Sequence, residues 1–399
     1  MSPPLVLLLV AALAPAADPI RVTTVDGVVL RGDAVSLASP TELAVTQSSS
    51  PVGRSALESV VAVEFGRASA EDAPVEATLI SGDRLLGEIA SGAEDTVRFA
   101  TRSFGTLSLP LDALRSLVYA ANLREVREKP VLKGVEGQDV LYRRARTGVD
   151  QVRGTIESID RGVVRMESAI GTLPIVASET VAVFFGSPER YQEPATLLAT
   201  ATGVDGSRLT GTLVRLDGQV FRLKTTVGLE VEAPLAGLAT LEFKNGRFLY
   251  VSDLTPASVT ERSYLPGSLV WGWRKDRTTD GRPLTLKGTV YPRGLGTHAW
   301  CELVYPLDGR FQAFTALVGV DDEVRHLRAR GSVKFKVMVD GQVRWESDVL
   351  RGLTEPVRVP PVSIQGAREL RLITDFADDS GAGDRGDWAM AMLVRPASK

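Results

Sequence analysis

The sequence predicts an all-β protein in which four tandem small β-barrels precede a jelly-roll β-sandwich. Apolar and polar residues alternate with a period of two in segments such as 220–224, which is the pattern of half-buried antiparallel strands. Glycine (37 residues) and proline (22 residues) are frequent, which favours short strands joined by turns. A glycine-marked unit recurs four times before residue 245, and about eight strand patterns without a convincing helix follow it.

The charge balance and the rare residues exclude several classes of function. Lys and Arg number 46 against 49 Asp and Glu, so the net charge is −3 and the basic excess of most nucleic-acid-binding proteins is missing. Two histidines, His298 and His326, and one cysteine, Cys301, are too few for a Cys/His zinc site. A single cysteine also cannot form an intrachain disulfide. We therefore expect no nucleic-acid partner, whereas carboxylate chemistry stays open.

The first 17 residues have the pattern of a secretory signal peptide. Nine apolar residues, Leu5 to Leu13, are too few to span a bilayer as a helix and are followed by the cleavage pattern Ala14-Pro15-Ala16. No Lys or Arg precedes the apolar run, so a buried strand or an apolar chain start is the alternative. No later segment approaches 18 apolar residues. We expect a secreted or periplasmic protein without a membrane span after cleavage of the signal peptide.

The four repeats are defined by a key glycine and a closing aromatic residue. The two are separated by 33, 32, 31 and 32 residues in the successive units, whereas the linkers between units vary. The key glycines are Gly32, Gly87, Gly154 and Gly211. Each unit holds four or five short strands, and a sheet that small must curl to bury its apolar face, so we expect the glycines at sharp bends. The predicted boundaries of the barrels are 18–66, 74–120, 136–186 and 195–247.

The repeats resemble Sm-like or SH3-like small barrels at the level of pattern. The best copy is Leu109 to Leu114 followed by Leu117-Val118-Tyr119. The Asp/Asn and Arg/Gly loops with which Sm proteins bind RNA are missing from this sequence. We interpret the barrels as spacers or as modules that contact a protein partner.

The last third of the chain carries four motifs in the order found in a known family. They are Tyr291 to Ala299, Phe314 to Asp322, Gly331 to Val337 leading into the hairpin turn Asp340-Gly341, and Asp387-Trp388-Ala389. Residues 249–397 therefore resemble the NPCBM carbohydrate-binding module, which is associated with glycoside hydrolase family 98 and is similar to family-51 carbohydrate-binding modules. The resemblance implies a galactose-binding-like β-sandwich that binds sugars in loops at one end, often with a structural calcium ion. It also implies a large exported bacterial protein.

Candidate sugar-binding residues lie in or near the loops of this module. Trp271 and Trp273 would point the same way on a strand and could form one stacking platform, or they could fill the core. His298 could donate a hydrogen bond to a sugar hydroxyl, or it could be a structural residue that is hydrogen-bonded within the protein. Arg325 lies in a charged loop that is typical of a solvated surface, although an arginine near a binding loop could contact sugar acids. We read 296–307 as one strand, so that Cys301 faces away from His298 and is a buried small hydrophobe.

Candidate metal ligands lie in the acidic glycine-rich loop 378–387. Calcium prefers six to eight oxygen ligands in a flexible loop, and Asp378, Asp384 and Asp387 could supply several of them. The alternative is a solvated acidic turn. The triplet Arg385-Gly386-Asp387 spells an integrin-recognition sequence, which we attribute to chance.

These observations predict an exported, non-catalytic protein that binds a glycan, galactose-type on the family resemblance, through its C-terminal module. The first alternative is an extracytoplasmic interaction scaffold whose module no longer binds sugar. The second is a glycoside hydrolase, which would need two carboxyl groups facing each other across a cleft at about 5–9.5 Å. No large catalytic domain is visible in the sequence, which favours a non-enzymatic function.

Overall fold

The computed structural model describes residues 19–397 apart from residues 67, 70, 71, 94, 129, 187–190 and 379. The predicted signal peptide, residues 1–17, lies outside the described residues. The prediction of an all-β protein is confirmed, with 57% strand and 6% helix. Within the described ranges, none of the helices has the length and apolar character needed to cross a membrane.

Four successive segments contain the same series of five strands, except that the second strand is divided into two in the first segment. The first holds β1 (Ile20–Thr24), β2 (Val29–Gly32), β3 (Ala34–Ser39), β4 (Glu42–Gln47), β5 (Ser50–Ala56) and β6 (Val60–Glu64). The second holds β7 (Val75–Leu79), β8 (Arg84–Ala93), β9 (Thr96–Thr101), β10 (Gly105–Pro110) and β11 (Leu114–Tyr119), and ends in the helix α1 (Ala120–Glu125). The third holds β12 (Asp139–Arg144), β13 (Val149–Ile159), β14 (Val163–Ser168), β15 (Gly171–Val176) and β16 (Thr180–Phe184). The fourth holds β17 (Leu198–Gly203), β18 (Arg208–Leu216), β19 (Val220–Thr225), β20 (Glu230–Pro234) and β21 (Leu238–Lys244).

The strand pairing of the first segment recurs in the other three. A long second strand, divided into β2 and β3 in the first segment, pairs with the opening strand and then with the third strand. The closing strand returns antiparallel to the opening strand. A 3-10 turn precedes the closing strand in the first, second and fourth segments, at Leu57–Ser59, Leu111–Ala113 and Leu235–Gly237. The division into four separate barrels, with the boundaries given above, stays a prediction.

The key glycines stand where the second strand bends from one partner to the next. A Cβ atom would lie 1.9 Å from a backbone carbonyl oxygen at Gly87 and at Gly154. At the other two positions, Gly32 and Gly211, it would lie 2.3 and 2.2 Å from such an oxygen. Real Cβ atoms do not approach so closely, so the bend requires a residue without a side chain. The repeated glycine is therefore a packing requirement of each segment.

The four segments are joined to each other through their closing strands. β6 of the first pairs antiparallel with β21 of the fourth, and β11 of the second pairs antiparallel with β16 of the third. The second and fourth segments share buried hydrogen bonds, in which Asp83 accepts from the backbone N–H and the hydroxyl of Thr210 at 2.9 and 2.8 Å. One continuous apolar cluster includes residues of all four segments. The repeats therefore form one packed body.

The C-terminal module is a sandwich of two six-stranded antiparallel sheets. One contains β22 (Phe248–Tyr250), β24 (Arg274–Lys275), β27 (Gly294–His298), β29 (Ala313–Val320), β33 (Val357–Ser363) and β35 (Arg385–Val394). The other contains β23 (Ser258–Glu261), β28 (Cys301–Pro306), β30 (Ser332–Val339), β31 (Gln342–Glu346), β32 (Leu350–Arg351) and β34 (Glu369–Phe376). The hairpin of β25 (Leu284–Leu286) and β26 (Thr289–Tyr291) and the 3-10 helices Val251–Asp253 and Asp322–His326 lie outside the two sheets.

The single strand predicted over 296–307 is wrong. The chain forms β27 in one sheet and β28 in the other, because the segment crosses from one layer of the sandwich to the next. Cys301 begins β28 and is buried with 1% of its surface exposed, as expected for a small hydrophobe. Trp388 is wholly buried between the sheets, and its indole N–H donates to Thr374 at 3.1 Å.

The module packs against the first segment. Val25 and Val61 of that segment form an apolar cluster with Phe248, Met392 and Val394 of the module. The backbone N–H of Arg247 donates to the carbonyl of Glu58 at 2.8 Å. The module is therefore held on the repeat body through a packed contact.

Candidate functional site

A cluster of polar and aromatic side chains lies at the end of the sandwich where β27 ends and β35 begins. Trp271 belongs to the segment between β23 and β24 that forms no strand, and its indole is half-buried. The ring stacks on the imidazole of His298, with 6.3 Å between the centroids and 21° between the planes. The guanidinium carbon of Arg385 lies 5.0 Å from the centroid of the same indole.

The position of His298 follows from the register of the sheet. It is directly opposite Arg385 in the antiparallel pair of β27 and β35, so both side chains project from the same face of the sheet. The ring Nδ1 of His298 is 2.7 Å from the carbonyl oxygen of Ala299, which can only accept, so Nδ1 carries the proton. Burial lowers the pKa of His298, and the positive charge of Arg385 lowers it further. The neutral imidazole therefore presents Nε2 as an acceptor.

Arg385 is held by two acidic side chains. Its guanidinium pairs with Asp280 and with Glu323, the latter at 2.8 Å, and 11% of the side-chain surface is exposed. Sequence reasoning missed all three residues. The triplet that begins at Arg385 was attributed to chance in a loop, whereas the structure starts β35 at this residue. The Gly-Asp-Trp motif that follows was the signal that could have placed it on a strand.

Buried carboxyl groups lie beneath this cluster. Asp321 accepts hydrogen bonds from the backbone N–H groups of Thr285 and Glu323, both at 2.7 Å. Asp387 is 1% exposed, and burial raises the pKa of its carboxyl well above the ordinary value, with a further rise from the neighbouring Asp321. Asp387 therefore favours the protonated form, which removes one of two adjacent negative charges.

We expect Asp387→Asn to raise the free energy of unfolding at neutral pH, because the amide cannot ionise. In the wild type, folding raises the pKa of the Asp387 carboxyl. The contribution of this carboxyl to the free energy of unfolding is therefore fully present below its pKa in the unfolded chain, about 3.9. It is lost as the pH rises through the pKa of the carboxyl in the folded protein. Urea unfolding at several pH values between about 4 and 8 measures the difference between variant and wild type.

The control for this substitution is Asp308→Asn. The Asp308 carboxyl is exposed, and its hydrogen bond to Arg310 holds its pKa below the usual range, so its removal should not stabilise the protein at neutral pH. A difference between Asp387→Asn and wild type that stays constant from acid to neutral pH would contradict the raised pKa.

The three predicted metal ligands have separate surroundings. Asp378 is at the surface and pairs with Arg351 at 2.5 Å. Asp384 is fully buried, and its carboxylate accepts from the backbone N–H of Ser332 at 2.8 Å. Within the described ranges, which omit residue 379, no group of three His, Cys, Asp or Glu residues is arranged to hold a metal ion. This donor set does not fit a calcium site as it stands, and calcium stays a prediction.

The remaining predicted sugar-binding residues are not part of the cluster around Trp271. Trp273 packs against the apolar core of the module, and its backbone N–H donates to Glu261 at 2.6 Å. The strand spacing assumed for the two tryptophans does not occur, because β24 begins at Arg274. Arg325 lies in the 3-10 helix that also holds Glu323, and it pairs with Asp322 at 3.4 Å.

A family model described as "NPCBM/NEW2 domain" matches residues 247–394. The match confirms the resemblance drawn from the four motifs. The match does not extend over the four N-terminal segments.

Two curated relatives share part of this chain. Alpha-1,3-galactosidase B of Akkermansia muciniphila is 32% identical over 118 residues, which are 29% of this chain and 14% of that protein. A protein of Renibacterium salmoninarum, provisionally named as an endo-alpha-N-acetylgalactosaminidase, is 33% identical over 117 residues, which are 29% of this chain and 7% of that protein. The chain thus spans a small part of the length of the curated relatives it matches.

Among solved structures, the CBM51 module from Clostridium perfringens GH95 in complex with methyl-galactose is 30% identical. The similarity covers 37% of this chain and 99% of that one, with a TM-score of 0.33.

Proposed function

Because residues 247–394 are an NPCBM/NEW2 domain, we propose that the chain is an exported, non-catalytic protein that binds a glycan at the cluster of Trp271, His298 and Arg385. The observation that carries the proposal is the stack of the Trp271 indole on the His298 imidazole beside a nearly buried arginine. An aromatic face suits the C–H face of a sugar ring, and the surrounding polar groups suit its hydroxyls.

Each group in the cluster has a distinct task in this proposal. The indole of Trp271 supplies the stacking surface. The neutral His298 accepts a hydroxyl hydrogen at Nε2, since Nδ1 is committed to the carbonyl of Ala299. Arg385 keeps the indole and the imidazole in place, because Asp280 and Glu323 fix its guanidinium beneath them.

The four N-terminal segments act as a rigid support in this proposal. We assign them as small barrels of the SH3-like kind, in keeping with their bent second strand and their antiparallel closing strand. Their packed contact with the module would present the sugar-binding end at a fixed position. A protein partner on the barrels is compatible with this arrangement.

The proposal is tested by titrating sugars into the full chain and following heat or tryptophan fluorescence. Galactose and N-acetylgalactosamine glycosides are the first probes, because the curated relatives carry the names of enzymes acting on these sugars. We expect saturable, millimolar binding that a calcium chelator does not change. Loss of binding in the presence of the chelator would instead support the predicted calcium ion. A folded chain that binds none of the sugars on a broad glycan array would refute the proposal.

The interaction scaffold is the second candidate, and an exposed apolar loop favours it. Leu265 and Leu269 precede Trp271 in the same loop and are 61% and 70% exposed. Exposed apolar side chains that form a contiguous patch often mark a contact surface for another protein. Failure of the glycan titration would leave this loop as the next surface to test.

A further inference from the structure

We propose a second glycan-binding cleft, at the end of the sandwich opposite the Trp271 cluster, that takes a neutral pyranose against Trp345. The cleft has a volume of about 450 Å³. This is within the range of small-molecule sites, roughly 300–1,000 Å³. It is lined by Val339, Asp340, Arg344, Trp345 and residues 360–367.

The location of the cleft follows from the order of the strands. β33 is the last strand of one sheet and β31 is the last strand of the other, so the cleft opens between two sheet edges. It lies where β30 ends and β34 begins, whereas Arg385 of the first cluster follows the far end of β34. The two sites are therefore separated by the length of the sandwich.

Trp345 provides a fixed aromatic surface in this cleft. It is half-buried and packs against the core of the module, which fixes the orientation of its ring. Among the described residues, its indole N–H has no hydrogen-bond acceptor. One face of the indole packs against the core, so the other face can stack on the C–H face of a sugar, and the N–H can donate to a sugar hydroxyl.

The polar groups of the cleft include one fixed acceptor and one uncommitted donor. Asp340 accepts from the backbone N–H groups of Arg368 and Glu369 through Oδ1, at 3.0 and 2.9 Å, which leaves Oδ2 available. Arg344 is exposed and, within the part of the chain that the structure describes, has no ion pair and no hydrogen bond. Adjacent sugar hydroxyls can donate to a carboxylate and accept from a guanidinium, and the opposite charges of the two groups favour a neutral ligand.

The edge strand argues for a small ligand over a bound peptide strand. Pro360 and Pro361 lie in β33 and have no backbone N–H groups. A peptide that added a strand at this edge would lose the corresponding hydrogen bonds. Gln365 and the exposed rim of the cleft instead offer side-chain contacts to the ring of a sugar.

The test uses the full chain labelled with 5-fluorotryptophan, whose five tryptophans are observed separately by fluorine NMR. Trp271→Phe and Trp345→Phe assign the two resonances. The probes are the methyl glycosides of galactose, N-acetylgalactosamine, N-acetylglucosamine and fucose, with glucuronic acid as a charged comparison. We expect the Trp345 resonance to shift saturably with at least one neutral probe, and to do so equally in Trp271→Ala.

One substitution probes the guanidinium of the cleft, and a second serves as its control. Arg344→Ala should raise the Kd obtained from the Trp345 resonance about tenfold, since a hydrogen bond to a charged group is lost. Arg165→Ala removes an exposed arginine from β14 and should have no effect, which controls for the change of charge.

Three outcomes would overturn the second site. The Trp345 resonance could fail to move with every neutral probe, including those that move Trp271. It could respond only while Trp271 is intact, which would show that both tryptophans report one site. It could respond to glucuronic acid alone, which would contradict a neutral ligand. Movement of Trp345 without movement of Trp271 would support this site while refuting the proposed first one.

Discussion

Replacing Trp271 by alanine is expected to weaken glycan binding by at least tenfold. A tenfold loss corresponds to about 1.4 kcal/mol. An aromatic contact contributes about 0.5–1.5 kcal/mol beyond the apolar area that it covers. The substitution removes that contact and also the support that the indole gives to His298 through the 6.3 Å stack. Isothermal titration of the full chain with the sugar that binds best measures the change in Kd.

The loop itself must be controlled for in this experiment. Leu269→Ala changes an exposed side chain in the same loop, 70% exposed, and should leave Kd within about twofold. The melting temperature of Trp271→Ala should stay close to that of the wild type, because the indole is half-buried and lies outside the strands. Equal binding by Trp271→Ala and wild type would remove this cluster as the sugar site.

Substituting alanine at Gly154 is expected to destabilise the repeat body by about 3 kcal/mol. The new Cβ atom would lie 1.9 Å from the carbonyl oxygen of Glu167 and 2.9 Å from the carbon of that carbonyl. Both atoms belong to the backbone of the paired strand, so relief requires β13 and β14 to separate. Urea unfolding followed by circular dichroism measures the loss of stability.

Gly162→Ala is the matched control, because it introduces the same methyl group in the same segment. No atom lies within 4 Å of the Cβ position at Gly162. We expect its effect on the free energy of unfolding to remain within about 0.5 kcal/mol. If the two variants unfold at the same urea concentration, the key glycine does not act through this close approach.

The sequence predicted the strands better than it predicted their partners. Alternation and glycine spacing located the repeated strands, because both signals are local. The pairing of β6 with β21 joins residues far apart in the chain, and no local pattern encodes it. The error at 296–307 has a related cause, since an apolar stretch does not reveal where the chain crosses between sheets.

The candidate site was predicted only in part, because its arrangement also depends on contacts between residues that are distant in the sequence. The motif around His298 and the tryptophan-rich loop pointed to two residues, Trp271 and His298, that the structure brings together. Arg385 was missed because its neighbour His298 is brought to it by strand register, which sequence spacing does not show. Trp273 was grouped with Trp271 on an assumed strand, whereas its indole packs against the core.

The pairing of the first and fourth segments has a consequence for the kinetics of folding. While the chain is being synthesised, β6 can pair with β1 as soon as both strands have emerged. Its second partner, β21, follows well over a hundred residues later. Contacts between such distant residues slow folding, because a long loop must close before the contact forms. In that interval β6 is an unprotected edge strand that can pair with another nascent chain. Aggregation during synthesis should therefore depend on how quickly the fourth segment follows the first.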